Sequence, residues 1–531
     1  MTEPLYRLAD DVFAEPLVNS FPSWWMTLAP VPSCLHLVNH QLPLLKAYLQ
    51  NPQFHAQAGS DPTLIGASFV TVPAARAEEV RALLHKSQTQ LAQRVALAEA
   101  FDGFQQGLVD EAKGQSLEPL YARIPEPLRG LVELVYDYHN RPSVRLLEAL
   151  TYRDGLDTAP LQTLLFSKLG ADAERPFWVS TPRLPGAETL ALSLPFREER
   201  LDRIFRTDLH PLPLAEWGEL LGLDPEAAGL RRFLTGAPPK TAAPWGGPGV
   251  RVRYLGHASA LVEWKGQSLL LDPFLSAVPT DTAAAPRLRY SELPERIDFA
   301  LITHSHADHF WVETLLRLRH RIDTLVVPRA SGHLVGDASL KRIAQSIGFR
   351  RVVELDALDS LPLDDGEIVA TPFLGEHGDL ALSKSGYWIR AGQERLLFGA
   401  DSAGLDPGLY RELRARLGPV GSVFMNTETE GSPLTFSMEA LFPKKRDRRL
   451  ERNRRCRGST AAEGLMILDV LEAKRVFNYA MGLEPWLSHI VGPPSPESSK
   501  RMEESTRLLD EANRRGIAAQ RLNGPTELVL G

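Results

Sequence analysis

The chain has 531 residues, too many for one hydrophobic core, so two or more domains are expected. With 44% apolar residues, 24% charged residues and a net charge of −7, its composition is that of a soluble globular protein without the basic excess of a nucleic-acid binder. Two cysteines, Cys34 and Cys456, exclude a disulfide framework and a Cys-rich metal site, and point to a reducing, cytoplasmic compartment.

The N-terminal stretch is acidic and lacks the basic and apolar regions of a signal peptide. No apolar run approaches about 18 residues, so no membrane span is expected. Residues 1–235 read as one mixed α+β unit. Trp24 and Trp25, in an aromatic cluster from Phe21 to Met26, suit core packing first and an interface second. Ala77 to Glu111 predicts one or two helices. Leu128, Leu131, Val132 and Val135 fall at i, i+3, i+4 and i+7, which predicts a helix opened by Pro125 and Pro127 and ended by Pro142. Thr189 to Pro195 predicts a short strand. Six histidines (His36, His40, His55, His85, His139 and His210) show no ligand spacing, and nothing in this unit carries recognisable chemistry. Residues 236–249 are rich in proline and glycine and read as a linker.

The pattern changes at residue 250. Val250 to Leu255, Ala260 to Trp264 and Ser268 to Asp272 predict three strands joined by tight turns. Helices and strands then alternate: Val312 to Arg319 helical, Thr324 to Val327 a strand, Ser339 to Ile347 helical, Arg351 to Leu355 a strand. This order implies two sheets face to face with helices outside, an αββα layering over 250–531. Ser495-Pro496 predicts the start of a last helix, running to about Arg515 and stopped by Gly516.

The chemistry concentrates where Asp298-Phe-Ala-Leu-Ile-Thr leads into His304-Ser-His306-Ala-Asp308-His309. The apolar run reads as a buried strand, and H-x-H-x-D-H as the loop leaving its C-terminal end. His304 and His306 are two positions apart, so in an extended segment both rings face the same way and can share one metal. Asp308 and His309 turn with the loop, which suits a second metal. Asp272 ends an apolar strand and is suited to orient a ligand histidine. His257 follows a strand in Gly-His-Ala-Ser and is expected beside the ligands rather than among them. Glu376 and His377 are adjacent and point oppositely in an extended segment, so only one of the two is expected to be a ligand. Asp401 ends the apolar run Leu396 to Ala400, and His489 is the last histidine in the chain.

H-x-H-x-D-H and these landmarks resemble the metallo-β-lactamase superfamily, from about Gly249 to the C-terminus. The resemblance implies that Asp401 bridges two metals and that His489 is a late ligand. With Glu376 as ligand, one metal takes His304, His306, Glu376 and Asp401, and the other takes Asp308, His309, His489 and Asp401. So carboxylate-rich a set suits iron, with zinc the alternative.

Glu376, the length of the catalytic half and the large N-terminal unit together are similar to the diiron β-hydroxylases of nonribosomal peptide assembly, a family that includes aminophenylalanine and leucine hydroxylases. That likeness implies O2 activation at two iron ions, with Glu376 and Asp401 catalytic. A carrier-tethered aminoacyl group would be hydroxylated at its β-carbon, with electrons from an external donor. It also implies that the N-terminal unit serves dimerisation or carrier docking. The alternative is a dizinc hydrolase of a phosphoester, lactone or amide with His377 as ligand. The segment 444–457 holds nine basic and two acidic residues. It is expected to be an insertion near the site that docks an acidic carrier domain, or else a solvated loop.

Overall fold

The computed structural model describes residues 3–61, 64, 67–226, 229–376, 382–432, 438–442 and 455–531. Alternation in the strand Val250–Gly256 sets it antiparallel to Ser259–Trp264, with Val252 opposite Val262. This hairpin belongs to a sheet whose order is Val352–Leu355, Ile322–Pro328, Ile297–Leu301, Gln267–Leu271, Ser259–Trp264, Val250–Gly256 and Thr526–Leu530. From Gln267–Leu271 to Val352–Leu355 the strands run parallel, so their C-terminal ends share one edge. A second sheet runs from Ser360–Leu363 to Ala518–Arg521, and its strands Glu394–Phe398, Ser422–Met425 and Arg475–Asn478 are also parallel.

The two sheets enclose an apolar layer. Leu271, Leu301 and Val326 of the first meet Ile389, Phe398 and Phe424 of the second. Helices Pro407–Leu417, Ala461–Leu471 and Lys500–Arg514 cover the second sheet through Leu413, Leu468 and Leu508. Helices Val312–Leu318 and Leu340–Ser346 cover the first. This is the αββα sandwich expected. Its last helix starts at Lys500 after Ser499, not at Ser495-Pro496.

The N-terminal unit is mixed α+β. Phe21–Pro22, Val12–Val18, Gln162–Lys168 and Leu190–Ser193 form an antiparallel sheet, flanked by helices Ala77–Gln90 and Ala92–Glu111. Leu5–Leu8 pairs with Leu234–Thr235, joining the two ends of the unit. The helix expected over Leu128 to Val135 does not form. A 3-10 turn, Glu126–Leu128, leads into the strand Val132–Tyr136, paired with Pro142–Leu146. Val132 and Leu134 are buried while Glu133 is half-buried, a period of two that the helical spacing concealed. Pro142 opens the partner strand, where its missing N–H is tolerated.

One apolar core runs from Trp24, Leu35 and Leu97 through Leu316 and Leu325, so the N-terminal unit packs on the helix-covered face of the first sheet. A buried ionic network crosses this boundary. Arg175 meets Glu313 at 2.7 Å and Glu15 at 3.3 Å, and Arg183 meets Glu15 at 2.8 Å. Glu313 lies on the helix that directly follows the H-x-H-x-D-H loop.

Candidate metal centre

The parallel strands of both sheets deliver their last residues to one place. Ile297–Leu301 is followed by the H-x-H-x-D-H loop, and its parallel neighbour Gln267–Leu271 is followed by Asp272. In the second sheet Asp401 follows Glu394–Phe398, and Asn426 follows Ser422–Met425. Each chain leaves its strand abruptly. His257, Asp272, Ala400 and Ala480 all have left-handed backbone, with φ of 52°, 36°, 44° and 54°. Such conformations cost about 1–3 kcal/mol each, and they cluster at these strand ends.

Two groups of side chains converge there. His304, His306 and Asp401 place one ligand-type atom each within 4.8 Å of one another, and His257, Asp308 and His309 do the same. Asp401 joins the groups: its Oδ2 is 3.7 Å from His304 Nε2 and 3.4 Å from His309 Nε2. Asp308 Oδ2 lies 3.7 Å from His309 Nε2 and 2.9 Å from His257 Nε2. Asn426 Nδ2 donates to Asp401 Oδ1 at 2.6 Å. Gly458 packs on Asn426 so closely that any Cβ would overlap the amide.

The buried carboxylate of Asp272 sets the tautomer of His309. It accepts from His309 Nδ1 at 2.8 Å, and from the Thr303 N–H and hydroxyl at 2.7 Å each. When the imidazole is neutral, as a metal ligand must be, its proton therefore sits on Nδ1 and the Nε2 lone pair faces the two carboxylates. Buried His309 Nε2 has no hydrogen-bond partner among the described residues, as suits a nitrogen aimed at a cation. Burial alone would lower the His309 imidazole, but Asp401, Asp308 and Asp272 outweigh it and hold it well above its ordinary range. Burial would likewise raise the Asp308 carboxyl, yet His309 and His257 hold it well below the usual carboxylate range. Imidazoles and carboxylates at this density fit two metal ions.

Of the residues singled out in the sequence, His304, His306, Asp308, His309 and Asp401 come together, with Asp272 behind His309. His257, expected beside the ligands, lies within one of the two groups. Glu376 lies on the exposed loop after Gly366–Thr371 and joins neither group. Its carbonyl accepts from Cys456 Sγ at 3.4 Å. Burial, with Asp401, Glu376 and Asp308 nearby, pushes the Cys456 thiol up to about 12. His377 lies outside the described residues. His489 joins neither group, and its ring packs edge-on against Trp311 at 5.7 Å. The backbone around it is tied to Trp178, whose N–H donates to the His489 carbonyl at 3.0 Å and whose indole donates to that of Ile490 at 3.2 Å.

A cavity of about 260 Å³ opens over the two groups, with His306, Asp308 and Asp401 in its wall. Trp24, Phe177 and Trp178 of the N-terminal unit supply another wall. Trp24 and Trp178 meet edge to face at 4.8 Å. The unit that showed no chemistry in sequence therefore shapes the site. Only the aromatic cluster at Trp24 hinted at it, through the interface reading.

Residues 7–238 match the family model described as the diiron non-heme β-hydroxylase N-terminal domain, and residues 267–439 match the β-lactamase superfamily domain. The chain is 33% identical over 525 residues, 98% of each chain, to the 4-amino-L-phenylalanyl-[CmlP-peptidyl-carrier-protein] 3-hydroxylase of Streptomyces venezuelae. It superposes on the crystal structure of CmlA, a diiron β-hydroxylase from Streptomyces venezuelae, with a TM-score of 0.91 and 32% identity over all of both chains. A metal-dependent hydrolase of Methanopyrus kandleri is 29% identical over 189 residues, 33% of this chain and 74% of that one. With both halves of the chain and the full-length relative in agreement, this protein belongs to the diiron non-heme β-hydroxylases.

Proposed function

We propose that the protein is an O2-dependent monooxygenase that hydroxylates the β-carbon of an aminoacyl group held as a thioester on a carrier domain of a nonribosomal peptide synthetase. The observation that carries this reading is the likeness to the 4-amino-L-phenylalanyl carrier-protein 3-hydroxylase, which spans 98% of both chains. The hydrolase reading is not favoured, since the metal-dependent hydrolase matches only 33% of this chain.

We assign His304, His306 and Asp401 to one iron, with Glu376, which the resemblance alone supports, as its further ligand. Asp308, His309, Asp401 and His257 are assigned to the other, with His257 in the position that the resemblance gives to His489. Two iron ions bound there supply the activation of O2, with electrons from an external donor. The chain's own groups do the rest. Asp401, between the two groups, would serve both metals, and Asn426 holds its second oxygen. Asp272 fixes the proton of His309 on Nδ1. Trp24, Phe177 and Trp178 line the same cavity and would enclose the acyl side chain. A homodimer and a cytoplasmic location complete the reading. Among the described residues no helix is long and apolar enough to cross a membrane.

The test is direct. Iron-loaded protein, a chemical reductant and O2 are mixed with carrier domains bearing a panel of aromatic and aliphatic amino acids. Mass spectrometry should find one added oxygen atom at the β-carbon of one class. Hydrolysis of phosphoester or lactone substrates without any oxygenated product would replace the reading. Metal analysis of variants tests the ligand assignment. Glu376→Ala and His257→Ala should each lose iron, while His377→Ala and His489→Ala should keep about two per chain.

A further inference from the structure

Among the described residues lining the cavity, three carboxylates are present: Asp308, Asp401 and Glu428. Asp308 and Asp401 belong to the metal groups, and Glu428 does not. Glu428 follows the strand Ser422–Met425, with its side chain 15% exposed. Arg501 Nη1 meets its Oε2 at 2.6 Å, and the Glu430 N–H donates to Oε1 at 2.8 Å. The Glu428 carbonyl accepts from the Gly458 N–H at 2.8 Å, so both its backbone and its side chain are fixed. Arg501, from the start of the helix Lys500–Arg514, is the one lysine or arginine among those lining residues.

The proposed substrate carries a single cation near its reacting carbon. An α-aminoacyl thioester has lost its carboxylate and keeps its α-ammonium, on the carbon next to the β-carbon. An ammonium drawn into a partly buried pocket needs an acceptor in place of water. The metal-bound carboxylates are already committed to cations. Glu428 is the carboxylate outside the metal groups; it is paired with Arg501, and each of its oxygens retains a lone pair beyond its present contact. Arg501 balances its charge while the pocket is empty and stays beside it when the ammonium arrives.

We infer, resting on the function proposed above, that Glu428 binds the α-ammonium of the tethered aminoacyl group, and that this contact sets the β-carbon before the metals. Arg501 acts as the positioning residue for Glu428. The site thereby selects α-amino acyl groups over fatty or des-amino acyl groups of the same shape.

The experiment measures affinity, without oxygen, of iron-loaded protein for carrier domains bearing aminoacyl groups through a stable amide. Each is paired with its des-amino analogue, over aromatic and aliphatic side chains. The wild type should prefer the aminoacyl form by about 10–100-fold. Glu428→Gln should bind both forms within about threefold of each other, a residual preference of well under one charged hydrogen bond. Glu428→Asp should retain part of the preference. Unchanged iron content in Glu428→Gln excludes a folding defect. A wild type that shows no preference, or a Glu428→Gln protein that keeps all of it, overturns the inference. Hydroxylation of the corresponding thioester-loaded carriers is read separately. Amino preference without oxygen insertion would overturn the proposed reaction and leave the recognition by Glu428 standing.

Discussion

Asp272 touches no metal position, yet it decides how His309 can bind one. Its carboxylate holds the Nδ1 proton at 2.8 Å, and a neutral amide cannot hold it as strongly. Asp272→Asn should therefore weaken metal binding by about 10–100-fold, read by competition with a chelator, while circular dichroism stays unchanged. Gly458 makes a second prediction at this scale. A methyl group there would push Asn426 off Asp401, so Gly458→Ala should lower iron occupancy more than Asn426→Ser, which leaves room around the carboxylate. His257 and Asp272 hold their positions through left-handed backbone, and small polar side chains tolerate that region better than β-branched ones.

The helix Val312–Leu318 ties the metal loop to the N-terminal unit. Arg175 is buried against Glu313 on that helix and Glu15 on the strand Val12–Val18. Burial would raise the Glu15 carboxyl, but Arg183 and Arg175 outweigh it and hold it below the usual range. Removing one partner leaves buried charge uncompensated, so Arg175→Met should cost about 3–5 kcal/mol, measured by urea unfolding. The triple replacement of Arg175, Glu15 and Glu313 by apolar residues of like volume should recover part of that loss. Elements built from a strong single period were legible in the sequence: Val312–Leu318, Leu340–Ser346 and Ile322–Pro328 lie within a residue or two of their expected limits. Val132–Tyr136 was not. Its apolar residues satisfy two periods, and only the pairing with Pro142–Leu146 selects the strand.

Across the whole molecule, pH acts through histidines that folding keeps neutral. Burial, helped by His40, pushes His36 well below its ordinary range, and burial with Arg321 pushes His320 down to about 3. The unfolded chain binds these protons below about pH 6.5 and the folded chain does not. Stability is therefore fully present above about pH 6.5 and falls as pH drops, by about 1.4 kcal/mol per pH unit for each residue. Urea midpoints of the metal-loaded protein between about pH 7 and pH 5 should show this slope, and His320→Asn should reduce it. The basic segment 444–457, expected from the sequence either to dock an acidic carrier domain or to be a solvated loop, gives a separate prediction. Arg448, Arg449 and Arg454 lie outside the described residues, and Arg455 donates to the Glu430 carbonyl at 2.9 Å. Neutralising all four should weaken carrier binding and flatten its salt dependence, because an acidic partner is held through screened charge.

The sequence by itself determined the αββα sandwich, the mixed N-terminal unit, and the run His304, His306, Asp308 and His309 with Asp401. These features are local: strand periodicity and ligand spacing are written along the chain, and a polar residue ending an apolar run marks the loop beyond a strand. That Asp272 orients a ligand histidine was legible for the same reason, since it closes an apolar strand; that the histidine is His309 was not. Only the tertiary structure decided what comes from elsewhere in the chain. It brought His257 against Asp308, set His489 against Trp311, and laid Trp24 and Trp178 over the metal groups. It also joined Glu428 to Arg501 in the wall of the cavity. No spacing encodes these contacts, because each depends on how separate strand ends and a separate unit pack around one core.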